Sequence, residues 1–547
     1  MNDTQPSAIA ALARRHFGDA DMASVFASRC REHAHRPYLI WQPFDQPSVT
    51  YSYAELGREA HAVAAGLQAR GVRPGDRVLV HLENSPEFVI AWFACTLAGA
   101  TIVQTNTRSA EDELRYYGED ASVVGAITQP RFAALVKAAA PRLKWIACID
   151  HDSGVRAPDV PRDESFAVLH GDPNALERRA PDPMAELAIQ YTSGTTARPK
   201  GVVWTQANGL WCASVNAAIE DLRADDCHFT YLPLFHTNAL GFSMLPSLWT
   251  GSRFVLVPKW STSRFWKLSV EHRCTWVSLI GLSLRALMAM PPPRHDYRLF
   301  GTGVCADAFP NVGVKTIGWW GMTETISPGL VGSAHEPNRL LSVGKPSPHY
   351  QISVLREDGK PVAHEEAGHL LIKGVRGLSL FSGYLNRDDA NEASFDAQGR
   401  FRTGDMVIPH ADGFYSFVDR SKDMLRVGAE NVAASEVERV ITAVPGVREA
   451  AVVGRPDAKL DEVPVAFVVG GDGKPDFEAR VQQACRAMLA DFKVPRAVYV
   501  VREMPRSTIS KVNKAELRKV ALPEADRAAA ERQWVDAARV DPSGDQG

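Results

Sequence analysis

Between Tyr53 and Val103 the chain alternates helical and extended periodicity, and this alternation constrains its fold more than any other feature. Ala54 to Arg70 carries apolar residues on one helical face and stops at Gly71 and Pro74. Arg77 to Leu82 is an apolar run of strand length, and Phe88 to Leu97 is helical again. Such a series packs as α/β layers around largely parallel sheets. More of the same follows from Phe254 to Val257, whereas Gln351 to Tyr384 shifts to short strands with turns at Asp358-Gly359, Gly374 and Gly377, a β-rich subdomain. The charged stretch Asp419-Arg420-Ser421-Lys422-Asp423 reads as a junction, after which helix and strand signals restart at Ala434 to Thr442 and Ala450 to Val453. The predicted fold class is α/β. A large N-terminal domain, residues 1–420, combines layered α/β subdomains with the β-rich one; a small C-terminal α/β domain follows over 421–525, and 526–547 form a tail without chemistry.

Composition excludes several classes. A chain of 547 residues with 45% hydrophobic and 23% charged residues is neither wholly disordered nor a fibrous repeat. Lys and Arg number 61 against 64 Asp and Glu, and the net charge of -3 gives no drive toward nucleic acid or an anionic membrane. The most apolar stretch, Phe88 to Val103, is broken by Thr96, Gly99 and Thr101 and falls short of the ~18 apolar residues of a membrane span. It reads as a core helix running into a strand. The eight cysteines are scattered singly, with no Cys-x-x-Cys pair, and read as plain thiols. The start, Met1 to Pro6, shows no basic segment leading into an apolar one, so a cytoplasmic location is expected.

The densest local signal is Tyr191-Thr192-Ser193-Gly194-Thr195-Thr196-Ala197-Arg198-Pro199-Lys200-Gly201, placed after an apolar Leu187-Ala188-Ile189 strand. Hydroxyls, exposed backbone N–H groups and one ammonium are what a phosphate chain needs, although the spacing is not that of a P-loop and a polar surface loop would look similar. Gly301-Thr302-Gly303-Val304-Cys305-Ala306 imitates a dinucleotide turn without the acidic residue that should follow it. His364 and His369 are one residue too far apart for a His-Glu-x-x-His zinc helix, and no Gly-x-Ser-x-Gly elbow occurs.

The Tyr191 loop resembles the signature loop of the adenylate-forming enzymes, a superfamily of acyl-CoA synthetases, adenylation domains and firefly-type luciferases. Further motifs resembling that family follow in order: Leu232-Pro233-Leu234-Phe235-His236-Thr237, Gly318-Trp319-Trp320-Gly321-Met322-Thr323-Glu324-Thr325 and Phe401-Arg402-Thr403-Gly404-Asp405. Then come Asp419-Arg420-Ser421-Lys422-Asp423, Gly428-Ala429-Glu430-Asn431 and Pro505-Arg506-Ser507-Thr508-Ile509-Ser510-Lys511-Val512. Six ordered matches after the loop leave little room for coincidence.

The resemblance implies an AMP-forming acyl-CoA synthetase, an acid-thiol ligase using ATP, Mg²⁺ and CoA. Such a reaction needs no protein nucleophile, because the acid itself attacks the α-phosphate; the protein positions reactants and offsets charge. By resemblance, Thr192, Ser193, Gly194, Thr195, Thr196 and Lys200 hold the leaving phosphates. Glu324, beside Thr323, binds Mg²⁺ with Thr195, a role that suits an acceptor-only carboxylate. Gly303 and Val304 run along the adenine and acyl pockets, Trp320 lies against the base and Trp319 faces the acyl pocket. Asp405 accepts the ribose hydroxyls, and Arg420 reaches ribose or phosphate. His236 stands near the substrate carboxylate and the thioester path. Lys511 bridges the carboxylate and the α-phosphate, where charge builds in the transition state. Lys422 is the hinge about which the small, mobile domain turns, and Gly428, Ala429 and Glu430 line the CoA path.

Five positions depart from the family pattern. Ala197 and Ser510 replace glycine, small for small, and Trp320 replaces tyrosine. Ala429 puts a methyl where a glycine borders the CoA tunnel, which narrows it or strains the backbone. Trp319 stands where relatives carry Gly or a modest aliphatic residue; a side chain of ~150–250 Å² there shortens the cavity. A compact acid is therefore expected, short-chain or small and aromatic. The alternative within enzymes is an adenylation enzyme loading a carrier-protein phosphopantetheine, with a luciferase-like oxygenase further off. A nucleotide sensor that lost the reaction would not need Lys511 together with Glu324 and Asp405. The expected partners are the acid, ATP and CoA, with no nucleic acid and no membrane span, and a homodimer is compatible with the family.

Overall fold

The computed structural model describes residues 6–157, 164–192, 198–288, 290–305, 313–420, 424–428, 430–471, 476–505, 512 and 514–521. It divides into two compact units. The first comprises Met1–Thr107, Tyr116–Tyr191 and Gly201–Ser421, the second Arg108–Arg115, Thr192–Lys200 and Lys422–Gly547.

The expected alternation is present in the first unit. Helix Tyr53–Ala69 starts where Ser52 and Glu55 close a capping box, satisfying N–H groups that the first turn leaves unpaired. Strand Arg77–His81 follows, then helix Pro86–Ala98, which is capped by Ser85, ends on Gly99 in the left-handed conformation and is buried on every side. The chain then enters strand Thr101–Gln104. These strands lie in a seven-stranded sheet ordered Gly383–Tyr384, Lys200–Thr205, Glu186–Thr192, Thr101–Gln104, Arg77–His81, Gly125–Thr128 and Ile146–Cys148.

A nine-stranded sheet carries Lys315–Trp320, Leu299–Thr302, Trp276–Leu279, Cys227–Thr230, Arg253–Leu256 and Pro37–Trp41 as consecutive parallel neighbours. Gly301 sits inside one of these strands rather than in a phosphate turn. A Cβ on it would lie 2.0 Å from the Trp319 ring and 2.6 Å from that of Trp276, so close ring packing explains this glycine. The β-rich part is a four-stranded antiparallel sheet of Gln351–Leu355, Gly368–Lys373, Phe401–Pro409 and Tyr415–Arg420.

In the second unit, helix Ala434–Thr442 spans the expected residues, and strand Val447–Asp457 is longer than the expected Ala450 to Val453. Val452, Ala466 and Val468 pack on one sheet face with Val437, Val481 and Phe492, whereas Ala451, Val453, Val465 and Phe467 pack on the other with Leu517. This period of two is that of strands buried on both faces. All eight cysteines are buried free thiols. Among the described residues no helix is long and apolar enough to cross a membrane. The tail 526–547 lies outside the described residues.

Candidate active site

Within the first unit, several predicted residues meet on the C-terminal side of strand Lys315–Trp320. The two tryptophans are consecutive in that strand, so their side chains leave on opposite faces. Trp320 donates its indole N–H to Asp405 Oδ2 at 2.8 Å, and both residues are buried. Asp405 follows Gly404, whose φ of 79° makes the turn that glycine tolerates best, and its N–H donates to Thr403 Oγ1 at 3.1 Å. In the antiparallel ladder Asp405 pairs with Arg420, so the backbone sets these two positions side by side.

Thr323, Glu324 and Thr325 form a single helical turn. Directly after it Ile326 holds φ 65° and ψ -49°, and Ser327 N–H donates to Thr325 O at 2.6 Å. This is a tight three-residue turn in a conformation that a β-branched residue resists, and such strain persists only where the surroundings enforce it. Here Tyr350 enforces it, donating its hydroxyl to Thr325 O at 2.5 Å. Glu324 is 4% exposed and accepts the Tyr384 hydroxyl at 2.9 Å on Oε1. Burial, with the Glu324 charge beside it, pushes the Tyr384 phenol well above its ordinary range, so it remains a proton donor. Thr323 is fixed at both ends: its carbonyl accepts Trp204 Nε1–H at 2.9 Å, and its hydroxyl lies 3.2 Å from that of Thr237. Thr237 also donates to Gln190 Oε1 at 2.9 Å, and Gln190 Nε2 is buried with no hydrogen-bond partner among the described residues.

His236 precedes this threonine as the N-cap residue of the short helix Thr237–Ala239. It is half-buried, with its ring 4.7 Å from that of Phe235. Gly303 is exposed and Val304 half-buried, just past strand Leu299–Thr302, where Thr302 donates to Val304 O at 2.6 Å. Trp319 lies face to face with Phe242 at 4.1 Å and with Trp276 at 5.5 Å. Thr192 ends strand Glu186–Thr192 and Lys200 begins strand Lys200–Thr205. In the second unit Gly428 has φ 64° and donates to Leu460 O at 2.6 Å, and Glu430 is buried at the start of strand Glu430–Ala433. Ser193, Gly194, Thr195, Thr196, Lys422, Ala429 and Lys511 lie outside the described residues, as does the side chain of Arg420.

The sequence reading missed Tyr384, Gln190 and Trp204. Each sits in a strand; Tyr384 and Trp204 meet the site through long-range packing that nothing in their local sequence marks, whereas Gln190 directly precedes the Tyr191 motif.

The donor set suits a hard cation. Among the described residues no three His, Cys, Asp or Glu side chains cluster, whereas Glu324 is a single buried carboxylate, next in sequence to the hydroxyl-bearing Thr323. Mg²⁺ is commonly held by one or two carboxylates together with the phosphates of its nucleotide.

A fold of this kind with such a site defines a class. Residues 26–385 match the AMP-binding enzyme family and residues 436–511 the AMP-binding enzyme C-terminal domain, and the chain belongs to that family. It stands among the acyl-CoA synthetases of the adenylate-forming superfamily. A crotonobetaine/carnitine–CoA ligase from Proteus mirabilis is 32% identical over 530 residues, covering 93% of this chain and 99% of the relative. A double mutant of the o-succinylbenzoate CoA synthetase from Bacillus subtilis, solved with a product analogue, superposes with a TM-score of 0.78 at 28% identity, over 91% of this chain and 98% of that one. The amide bond synthetase of Marinactinospora thermotolerans superposes with a TM-score of 0.76 at 25% identity, over 91% of this chain and 100% of that one.

Proposed function

We propose that this acid–CoA ligase activates a compact carboxylic acid, short-chain or small and aromatic, in the cytoplasm. A carboxylate oxygen of the acid attacks the α-phosphorus of ATP, and the bond to pyrophosphate breaks to leave acyl-AMP. The CoA sulfur, having lost its proton, then attacks the acyl carbon, and AMP departs with the bonding electrons. What the protein supplies is orientation and fixed charge.

In this reading residues 1–420 hold the nucleotide and the acid, and 421–525 act as a lid that turns about Lys422. Trp320 covers the base while its N–H fixes Asp405, and Asp405 receives the ribose hydroxyls. Arg420, beside Asp405 in the ladder, reaches ribose or phosphate. The Thr192 to Lys200 loop takes the leaving phosphates. Mg²⁺, when bound, offsets the phosphate charge, and Glu324 and Thr195 would hold it. His236 faces the reacting carboxylate, Lys511 meets the charge that grows on it and the α-phosphate, and Gly428, Ala429 and Glu430 border the CoA path.

What supports the compact acid is the stacking of Trp319 on Phe242 and on Trp276, ring carbon at the position that the family resemblance assigns to the acyl pocket. Pyrophosphate release across straight-chain and aryl acids tests it. C4 to C8 or small aryl acids should turn over well and palmitate poorly; saturating turnover of palmitate with none of the shorter acids would reject the reading.

A further inference from the structure

The segment 232–237, which carries His236, follows strand Cys227–Thr230 of the nine-stranded sheet but is gripped from the seven-stranded one. Three buried amides reach it, from three neighbouring parallel strands or the turn just past them. Asn84, just past strand Arg77–His81, donates to Leu232 O at 3.0 Å and accepts the Leu234 N–H at 2.9 Å. Gln104, the last residue of strand Thr101–Gln104, donates to Phe235 O at 3.0 Å and accepts the Trp92 indole N–H at 3.2 Å. Gln190, which pairs with Gln104 in the next strand, accepts the Thr237 hydroxyl at 2.9 Å. His236 is thus held on both sides, through the carbonyl of the residue before it and the side chain of the residue after it. Its own N–H donates to Pro233 O at 3.0 Å and its carbonyl accepts the Leu240 N–H at 3.2 Å. With both flanks and its own backbone fixed, the direction in which the imidazole leaves the chain is fixed too.

Asn84 and Gln104 have a structural reason to be polar, since the backbone groups of a buried irregular segment need partners. Gln190 has none of that kind. Its partner is a side-chain hydroxyl, and its Nε2 is buried with no hydrogen-bond partner among the described residues. Leu187, Ala188 and Ile189, which precede it in the strand, are the buried apolar residues that a strand covered on both faces calls for. An apolar side chain at 190 would fill the strand without stranding an amide N–H, which is destabilising when buried and unmatched. A residue that breaks the local rule at such a cost is expected where function requires it. Thr237 has one proton and gives it to Gln190, so its oxygen is the acceptor for the Thr323 hydroxyl 3.2 Å away. The same chain of bonds therefore ties the His236 segment to the turn that carries Glu324.

We propose that Gln190 is a positioning residue for formation of the acyl-adenylate: through Thr237 it sets His236 against the acid's carboxylate. The inference rests on the acid–CoA ligase reading, in which His236 faces the reacting carboxylate, and adds to it a residue that touches no substrate. Displacing a reacting group by about 1 Å costs up to about 10²-fold in rate, so loss of this bond acts on kcat rather than on nucleotide binding.

Exchange of labelled pyrophosphate into ATP by the full-length chain, with Mg²⁺ and hexanoate or benzoate, reads acyl-AMP formation alone. Gln190→Leu keeps a buried strand residue of similar size and removes the acceptor. It should lower kcat by about fivefold or more, the scale of at least one neutral hydrogen bond, with the KM for ATP within about twofold. Thr237→Val removes the same bond from its other end and should do the same, which keeps the test open if Gln190→Leu folds poorly. Placed in a His236→Ala background, either substitution should change the rate by less than about twofold, because the group it positions is gone. A smaller loss in both variants, a KM for ATP that rises as far as kcat falls, or a loss that persists in the His236→Ala background overturns the proposal. Should neither acid support exchange in the wild type, the reading of the chain as a ligase for compact acids fails instead. Imidazole NMR of the histidine-labelled chain, with the His236 signal assigned by its loss in His236→Ala, then decides: a His236 signal that splits or broadens in both variants while the other histidines keep theirs supports the positioning role, and an unchanged one overturns it.

Discussion

Trp320 and Asp405, 85 residues apart in the chain, are joined by an indole-to-carboxylate hydrogen bond of 2.8 Å. The residue that family resemblance sets against the base thereby orients the residue it sets on the ribose. Tryptophan in place of tyrosine keeps an aromatic face and adds an N–H that reaches the carboxylate.

Removing that N–H should loosen nucleotide binding while leaving the chemistry intact. Trp320→Phe is expected to raise the KM for ATP about 10- to 150-fold with kcat within about threefold, the loss of one hydrogen bond of about 1.5–3 kcal/mol to a charged group. Initial rates over an ATP series measure it, and an unchanged KM would show that the contact does not serve the nucleotide.

Tyr384 donates to Glu324, so Tyr384→Phe strips a buried carboxylate of one donor. Stability should fall by about 1–3 kcal/mol, and pyrophosphate release should require several-fold more Mg²⁺ for half-saturation. Thermal unfolding and a Mg²⁺ titration read the two effects separately. A melting shift with no change in the Mg²⁺ requirement would confine Tyr384 to a structural role.

Trp319 fills space behind Phe242, and Trp319→Ala should lengthen the preferred acid. Each methylene newly accommodated adds about 0.8 kcal/mol, roughly fourfold in kcat/KM. The optimum of a C4 to C12 series should move up by two or more carbons, and an unmoved optimum would place the end of the acyl pocket elsewhere.

The Glu220 and His228 pair predicts opposite pH effects on stability. The Glu220 carboxyl is raised by burial, so its contribution is fully present below the unfolded value of 4.5 and is lost as pH rises toward its folded value. His228 is lowered by burial from 6.5 to about 4, so its contribution is present above 6.5 and lost as pH falls through that window. Glu220→Gln keeps a neutral side chain of the same shape and should melt higher than the wild type at pH 8, the advantage shrinking toward pH 4.5. Melting curves across pH 4.5–8 measure it, and equal melting at pH 8 would mean that the carboxyl is not held neutral.

Elements whose start and stop signals are local are legible in the sequence. Ser52 and Glu55 announce helix Tyr53–Ala69, and the strong apolar face of Ala434–Thr442 announces itself. Strand Val447–Asp457 runs past its apolar centre because pairing with Asp461–Gly470 extends the ladder through residues whose side chains give no strand signal. At the site, motif residues such as Glu324 and Asp405 are readable from their neighbours. The groups that hold them are not: Tyr384 lies 60 residues from Glu324, and the strained turn at Ile326 is imposed by Tyr350 from another segment.

The most direct test of the central claim is pyrophosphate release by the wild type and by Lys511→Ala, with acid and ATP, in the presence and absence of CoA. Acid-dependent release is expected, with a CoA thioester as product when CoA is present and a loss of about 10²-fold or more in the variant, the scale of removing a group that stabilises transition-state charge. Pyrophosphate release that survives in Lys511→Ala, or that never yields a CoA thioester, would contradict it.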